Sequence, residues 1–117
     1  MEKSNERGSL GEQLAEEYLL KKGYTFLDRN YKRFTGEIDL IFTKGDLLVF
    51  VEVKARKNAD FGYHSDFVTE EKQRKILSAA EIYINENELY DYQPIFDVIE
   101  IFLEEPIRIE HIEDAFP

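Results

Sequence analysis

The sequence predicts an α/β fold in which one β-sheet of about five strands carries helices packed against it. Two segments place apolar residues at helical spacing, residues 36–56 contain two apolar stretches around a turn, and two more apolar stretches lie near the C-terminus. These elements follow the order α-β-β-β-α-β-β. The length of 117 residues is typical of one domain, which we predict to span residues 1–117.

The first helix is predicted over residues 9–22 and is expected to end at Gly23. Its apolar stripe consists of Leu10, Leu14, Ala15, Tyr18 and Leu19. Ser9 and Glu12 have the spacing of a capping box, in which a hydroxyl and a glutamate satisfy the first amide groups of a helix. Residues 24–31 follow as a short, weakly patterned strand.

Residues 36–56, GEIDLIFTKGDLLVFVEVKAR, predict a β-hairpin because two apolar stretches flank a Lys-Gly-Asp turn. A two-residue loop at residues 45–46 would set Asp39 directly opposite Glu52. A loop at residues 44–45 would leave the two carboxylates as diagonal neighbours. In both registers they share one face of the sheet, since side chains two apart in a strand point the same way.

Like charges that oppose each other destabilise a sheet, so Asp39 and Glu52 need compensation, which a bound Mg²⁺ or Mn²⁺ ion would provide. Carboxylates that hold such an ion, with positions open to water, can neutralise a phosphate and generate a nucleophile near neutral pH. Lys54 shares the face of Glu52 and would stabilise the developing negative charge. The alternative is that both carboxylates are solvated and that Lys54 is a surface lysine.

The second helix is predicted to begin at the cap residue Thr69, with two glutamates in its favourable first turn. Its buried stripe consists of Ile76, Ala79, Ala80 and Tyr83. Residues 57–68 form the loop before this helix, and residues 85–94 form the linker after it. Residues 95–102 are apolar on both faces and predict an interior strand, whereas the alternating residues 107–112 predict an edge strand.

Further basic and acidic residues are candidates for the same site. Glu12 lies at the edge of the first helix's stripe and could be a further metal ligand, or it could serve in the capping box. Lys72 would face the sheet near the start of the second helix, where phosphate binds well, or it could extend its amino group into solvent. The residues that could line a nucleic-acid track, or form solvated faces, are Arg56, Lys57, Arg74 and Lys75.

Composition limits the kind of metal site. There is no cysteine, so disulfides and thiolate zinc sites are excluded, and any metal would be held by oxygen. The two histidines, His64 and His111, are interpreted as loop and strand residues rather than ligands. Asp97 lies within an apolar strand and is predicted to make a structural hydrogen bond or ion pair.

The net charge of −10 disfavours a nucleic-acid partner at first sight, but the charge is unevenly distributed. Residues 1–80 hold 14 basic and 14 acidic residues, whereas residues 81–117 hold one basic residue and 11 acidic ones. The first part is therefore compatible with a local phosphate-binding surface. No apolar run approaches the roughly 20 residues of a membrane span, so we expect a cytoplasmic protein without membrane contact.

GEIDLI and VFVEVKAR, together with GSLGEQLAEEYLLKKGY, RNYK, EEKQRKILSAAEIYI and FDVI, resemble the YraN-like family of small bacterial proteins over most of the chain. A more distant resemblance, to the PD-(D/E)xK nuclease superfamily and its archaeal Holliday junction resolvases, rests on Glu12, Asp39, Glu52 and Lys54. It implies a mixed, restriction-endonuclease-like sheet flanked by helices, a metal held by the three carboxylates and the Val53 carbonyl, and a catalytic lysine. Ile38 stands where the superfamily has a nominal proline.

The leading hypothesis is a metal-dependent endonuclease that acts on DNA rather than RNA, including branched or damaged DNA. Symmetric cutting of two strands would suit a homodimer. The first alternative is a nucleic-acid-binding module of the same fold without turnover. The second is a protein-interaction domain in which the acidic residues 81–117 contact a basic partner.

Overall fold

The computed structural model describes residues 2–57 and 68–116, and this range contains two helices and five strands in the predicted order. The elements are α1 (Glu2–Lys21), β1 (Thr25–Arg33), β2 (Gly36–Lys44), β3 (Leu47–Arg56), α2 (Glu70–Asn87), β4 (Gln93–Phe102) and β5 (Arg108–Ile112). The predicted α/β fold is confirmed. Residues 58–67, which include His64 and most of the loop predicted before the second helix, lie outside the described residues.

The strands of the described range form one mixed sheet with the spatial order β1-β2-β3-β4-β5. All neighbouring strands are antiparallel except β3 and β4, which are parallel. Parallel neighbours require a crossover connection, and α2 lies within it. The predictions of an interior β4 and an edge β5 are both confirmed.

The two helices cover opposite faces of the sheet. Leu19 of α1 packs in one core with Phe42, and Ile76 of α2 packs in the other core with Phe50. Successive residues of β3 alternate between these cores, which explains why its sequence is apolar on both faces. A polar side chain at the inner end of such a strand is therefore partly buried and needs a partner.

The start of α1 differs from the prediction. The helix begins at Glu2 rather than at Ser9, so Ser9 lies inside it and the predicted capping box is wrong. The serine-to-glutamate spacing that marks a cap is also compatible with a helix interior, and the preceding residues include good helix formers. Glu12 therefore has no capping role. The helix ends as predicted before Gly23, whose φ of 91° requires glycine.

The helix α2 begins as predicted. The Thr69 side chain caps it by accepting a hydrogen bond from the backbone N–H of Lys72 at 3.2 Å. The predicted buried stripe is confirmed, and its members are Ile76, Ala79, Ala80 and Tyr83. The following linker is shorter than predicted, because α2 runs to Asn87 and β4 begins at Gln93.

Asp97 of β4 has the structural role predicted for it. Its Oδ2 lies 2.7 Å from Nε2 of His111, and its Oδ1 accepts a hydrogen bond from the backbone N–H of Asp114 at 2.9 Å. The other ring nitrogen of His111 lies 3.3 Å from the Tyr18 hydroxyl, which joins β5 to α1. This buried network ties the C-terminal strand to the rest of the fold. Neither described helix is long and apolar enough to cross a membrane.

Candidate metal and phosphate site

Two carboxylates meet where β2 and β3 separate. The pairing of these strands runs from Lys44 with Leu47 to Leu40 with Val51, so the loop is residues 45–46. The backbone pairing ends at Leu40 and Val51, and this register, continued by one residue, puts Asp39 opposite Glu52. Of the two loops that the sequence left open, the one at residues 45–46 is therefore confirmed. Asp39 Oδ2 accepts a hydrogen bond from the backbone N–H of Val53 at 2.8 Å.

The carboxylate pair is not a solvated feature of an open sheet face. Glu52 is buried and Asp39 is partly buried, so the solvated alternative is wrong. Burial, followed by the negative charge of Glu52, raises the pKa of Asp39 to about 7, against the lowering effect of the Val53 N–H group. The ionised form of Asp39 is therefore disfavoured beside Glu52, and a cation placed between the two carboxylates would favour it.

Lys72 reaches this pair from the first turn of α2. Its Nζ lies 3.1 Å from Glu52 Oε2, so the lysine faces the sheet as the sequence predicts. Burial opposes its charged form, but the adjoining Glu52 outweighs that cost and raises the pKa of Lys72. About half of the Lys72 side chain remains exposed, which leaves its amino group accessible to a phosphate arriving from solvent.

Glu12 approaches the pair from α1, on the other side of the sheet end. Burial, then the charges of Glu37 and Glu52, raise the pKa of Glu12, while the Asn30 side chain opposes the shift. This sensitivity to Glu52 places Glu12 within electrostatic range of the carboxylate pair. Among the described residues, the site thus combines acids from two strands and a helix with one lysine.

Two glycines bring the helices close enough to form the site, and the sequence analysis missed both. Gly11 of α1 directly precedes Glu12, and a Cβ on Gly11 would lie 2.8 Å from the Cβ of Ala55 in β3. A Cβ on Gly36 at the start of β2 would lie 2.3 Å from the carbonyl oxygen of Lys75 in α2. The signal that could have found them is a glycine inside a regular element beside a candidate residue.

The close approach at Gly36 forms a cleft of about 390 Å³ between the β1–β2 hairpin and α2. Its lining includes three basic residues, Arg33, Lys72 and Lys75, and one acidic residue, Glu37. Each of the three cations also lies within 4 Å of a carboxylate of another residue. Because Lys72 also contacts Glu52, the cleft leads to the carboxylate pair. The arrangement provides positive charge for phosphate groups directly beside acids that could hold a metal.

The remaining predicted residues are divided between this region and other parts of the surface. Lys54 lies two residues beyond Glu52 in β3, is partly buried, and makes no ion pair with any residue that the structure describes. Arg56 instead forms an ion pair with the fully buried Glu100, at 2.8 Å from Nε to Oε2. Arg56 therefore neutralises a buried acid of β4, a role that the apolar sequence around Glu100 did not suggest.

The other two basic candidates do not line the cleft. Lys57 is exposed directly after β3. Arg74 is exposed on α2 and borders a different, largely apolar groove that also contains Leu77 and Phe96. The structure therefore brings the predicted carboxylates together with Lys72, while Lys54 lies two residues beyond Glu52 in β3 and Arg56 and Arg74 do not line the cleft.

The donor set fits a hard cation with a small number of protein ligands. Within the described ranges, no group of three or more acidic or histidine side chains is close enough to enclose a metal ion. Mg²⁺ does not need such a group, because it keeps several waters and is commonly held by one or two carboxylates. Asp39, Glu52 and the Val53 carbonyl supply oxygen only, which matches Mg²⁺ or Mn²⁺ rather than zinc.

The fold and site define an α/β protein with a buried pair of carboxylates at one end of its inner strands. Residues 11–101, which include all four predicted catalytic residues, match the uncharacterised protein family UPF0102. The chain belongs to this family, and the YraN-like resemblance is thereby confirmed.

Relatives of similar length support this membership. A UPF0102 protein of Caldanaerobacter subterraneus is 45% identical over 122 residues, covering 99% of this chain and 100% of the relative. One from Clostridioides difficile is 45% identical over 113 residues, covering 97% of this chain and 98% of the relative. One from Flavobacterium psychrophilum is 42% identical over 117 residues, covering 99% and 98% respectively. The match thus spans whole proteins rather than an isolated motif.

Proposed function

We propose that this protein is a metal-dependent endonuclease that hydrolyses phosphodiester bonds in DNA. The observation that carries the proposal is the pair of neighbouring acids, the partly buried Asp39 and the buried Glu52, with Lys72 beside Glu52. Ordinary folding gives no reason to bury two like charges together, whereas a metal and phosphate site does. The distant resemblance of these residues to the PD-(D/E)xK nuclease superfamily agrees with this interpretation.

Asp39, Glu52 and the Val53 carbonyl would hold Mg²⁺ or Mn²⁺, with Glu12 as a further ligand directly or through water. Such an ion, when bound, neutralises phosphate charge and makes water a stronger nucleophile near neutral pH. The hydrogen bond from Val53 N–H to Asp39 fixes the orientation of that carboxylate in advance. This fixed carboxylate supports the proposal that Asp39 is one of the ligands.

The lysines have separate roles in the proposed reaction. Lys54 shares the strand face of Glu52, and its ammonium group would stabilise negative charge that develops on the phosphate during hydrolysis. Lys72 neutralises Glu52 in the absence of a metal and would turn to the phosphate once Glu52 is occupied. Lys75 on the cleft would attract a neighbouring phosphate, while Arg33 holds the hairpin to Glu86.

The test is cleavage of labelled single-stranded, duplex, flap and four-way DNA and of single-stranded RNA, each with Mg²⁺, Mn²⁺ or EDTA. Glu52→Gln removes one charge of the pair, and Glu81→Gln removes a charge from the exposed side of α2 as the matched control. Wild type and Glu81→Gln should cut in a metal-dependent manner, and Glu52→Gln should be slower by at least about 100-fold. Equal cutting by all three would show a contaminating nuclease and refute the proposal.

A nucleic-acid-binding module without turnover is the second candidate function. The observation that favours it is the pairing of Glu52 with Lys72, which already neutralises one acid of the site without a metal. Metal-independent binding of the panel, with no cleavage of any member, would select this candidate. Failure to bind any nucleic acid at low salt, where phosphate binding is strongest, would instead favour a protein partner for the acidic residues 81–117.

The proposed nuclease has a further requirement if it cuts both strands of a symmetric substrate. Two active sites are then needed, and a two-fold homodimer would supply them. Light scattering of the protein alone and with four-way DNA tests this directly. A monomer on the DNA would restrict the proposal to single-strand cutting.

A further inference from the structure

The tip of the β1–β2 hairpin carries a fully exposed aromatic side chain. Phe34 has a relative exposure of 101%, compared with 64% for Tyr90, the next most exposed large hydrophobic residue among those described. Single exposed apolar residues are common on proteins. A fully exposed phenyl ring at the rim of a charged cleft is less common than an isolated exposed apolar residue, and it is suited to a ligand with a flat apolar face.

The hairpin that presents Phe34 is held in place on both sides. Arg33 donates hydrogen bonds to both carboxylate oxygens of Glu86 in α2, and its guanidinium group stacks 4.3 Å from the centre of the Tyr31 ring. Gly36, on the other side, lies against the backbone of Lys75. The backbone on both sides of Phe34 is therefore held against α2, which reduces the ordering of the hairpin that binding would require.

The surroundings of the ring are charged rather than apolar. Phe34 lines the same cleft as the basic residues Arg33, Lys72 and Lys75 and the acidic residue Glu37, so positive charges outnumber negative ones in the lining. Lys72 connects the cleft to Glu52. A hydrophobic protein partner or a second copy of the chain would need a continuous apolar patch, which this rim of lysines does not offer. A strand of nucleic acid combines a flat base with regularly spaced phosphates and matches both features.

We infer that Phe34 stacks on an unpaired nucleobase while Lys72 and Lys75 bind the phosphates of the same strand. This inference rests on the proposed function and specifies its substrate class. In a continuous duplex every base already stacks on its neighbours, so no base face is free to stack on Phe34 and the ring adds no binding energy. The preferred substrate is therefore DNA with a single-stranded segment, such as a flap, a bubble or an open junction.

The inference is tested by fluorescence anisotropy in EDTA at low salt, which prevents metal-dependent cleavage. The probes are a labelled single strand, the blunt duplex of the same sequence, and a strand of abasic residues that keeps its phosphates. Phe34→Ala should bind the normal single strand roughly tenfold more weakly, given the usual strength of base–aromatic stacking. Phe34→Trp should retain the wild-type affinity for the single strand. The affinity of Phe34→Ala for the duplex and abasic probes should differ from that of wild type by less than twofold.

Tyr90→Ala is the matched control, since Tyr90 is an exposed aromatic residue between α2 and β4 that does not line the cleft. Equal affinity of Phe34→Ala and wild type for the single strand would overturn the inference, as would an equal loss on the abasic probe. Loss of self-association in Phe34→Ala, without a change in binding, would identify the tip as a contact between copies and also overturn it.

The same experiment separates failure of this inference from failure of the proposed function. If Glu52-dependent cleavage is present and Phe34→Ala binds like wild type, only the stacking role is wrong. If wild type neither binds nor cuts any nucleic acid, the proposed function fails and the inference fails with it.

Discussion

The carboxylate groups of Asp97 and Asp39 differ in how completely their oxygen atoms and charge are paired with other groups. Asp97 has a partner for each oxygen, His111 on one side and the Asp114 N–H on the other, and its side chain is fully buried. Asp39 lies beside a second acid, Glu52, and the described groups that offset the repulsion are the Val53 backbone N–H and the charge of Lys72. A buried acid whose oxygens are all hydrogen-bonded stabilises the fold, whereas a pair of acids whose charges are incompletely neutralised indicates a ligand-binding site.

The largest effect that would sharpen this comparison is on stability. Asp97→Ala leaves the buried His111 ring and the Asp114 N–H without their acceptor, and we expect it to cost about 3 kcal/mol. Asp39→Ala also removes an acceptor, but it relieves repulsion with Glu52, so its cost should be below about 1 kcal/mol. Urea unfolding at pH 8 in EDTA measures both. Equal costs would mean that the two acids are not different in kind.

The second effect concerns the pH dependence of stability. The pKa of Asp39 is raised from 3.8 to about 7 in the folded protein, so between these values the folded state binds a proton that the unfolded state lacks. Its contribution to stability is therefore complete below about pH 4 and is lost as the pH rises through 7, by up to about 1.4 kcal/mol per pH unit.

Asp39→Asn removes this titration and tests it cleanly. The variant should resemble wild type at pH 4 and be more stable at pH 8, as measured by urea unfolding without metal. Asp46→Asn, in the exposed turn of the same hairpin, is the control and should follow the wild-type curve. Parallel curves for wild type and Asp39→Asn would show that burial and Glu52 do not disfavour the ionised form of Asp39.

A third, smaller effect should come from metal binding itself. An ion that binds only the folded state stabilises it according to its concentration relative to Kd, about 1.4 kcal/mol at tenfold excess over Kd. We expect Mg²⁺ at pH 8 to raise the Tm of wild type and not that of Asp39→Asn. Asp97 variants should keep the response if they fold, because their network is not a ligand site. A Mg²⁺ response that survives Asp39→Asn would place the ion elsewhere.

The sequence predicted the features that depend on local pattern. The β2–β3 hairpin, the Thr69 cap and the buried stripe of α2 all follow from strand alternation, turn residues and helix periodicity. The choice between the two hairpin registers came only from the structure. The start of α1 was wrong because a cap signal at Ser9 is compatible with a helix interior. Local pattern is thus sufficient for elements but weak at their ends.

Features that depend on distant packing could not be predicted. The ion pair between Arg56 and Glu100 and the exposure of Phe34 arise only once strands and helices are placed together. The direction of Lys72 was predicted from the helix face, but its contact with Glu52 required the position of α2 on the sheet. The candidate metal ligands were predicted from the sequence, whereas the groups that neutralise the charged residues were identified mainly from the structure.

The smallest expected effect on stability concerns Gly11 and separates positioning of the site from stability of the fold. Alanine favours a helix over glycine by about 1 kcal/mol, but its Cβ at this position would lie 2.8 Å from that of Ala55. The two effects should nearly cancel in urea unfolding of Gly11→Ala, while α1 moves away from β3 and carries Glu12 with it. The stabilisation of the protein by Mg²⁺ should therefore weaken even though the fold does not.

The double variant Gly11→Ala with Ala55→Gly restores the space and should recover the Mg²⁺ response, while Gln13→Ala, on the exposed side of α1, should leave it unchanged. A response that Gly11→Ala leaves intact would show that Glu12 does not take part in metal binding. The site would then consist of the β2–β3 carboxylates alone, and the contrast with Asp97 would rest on a single pair of strands.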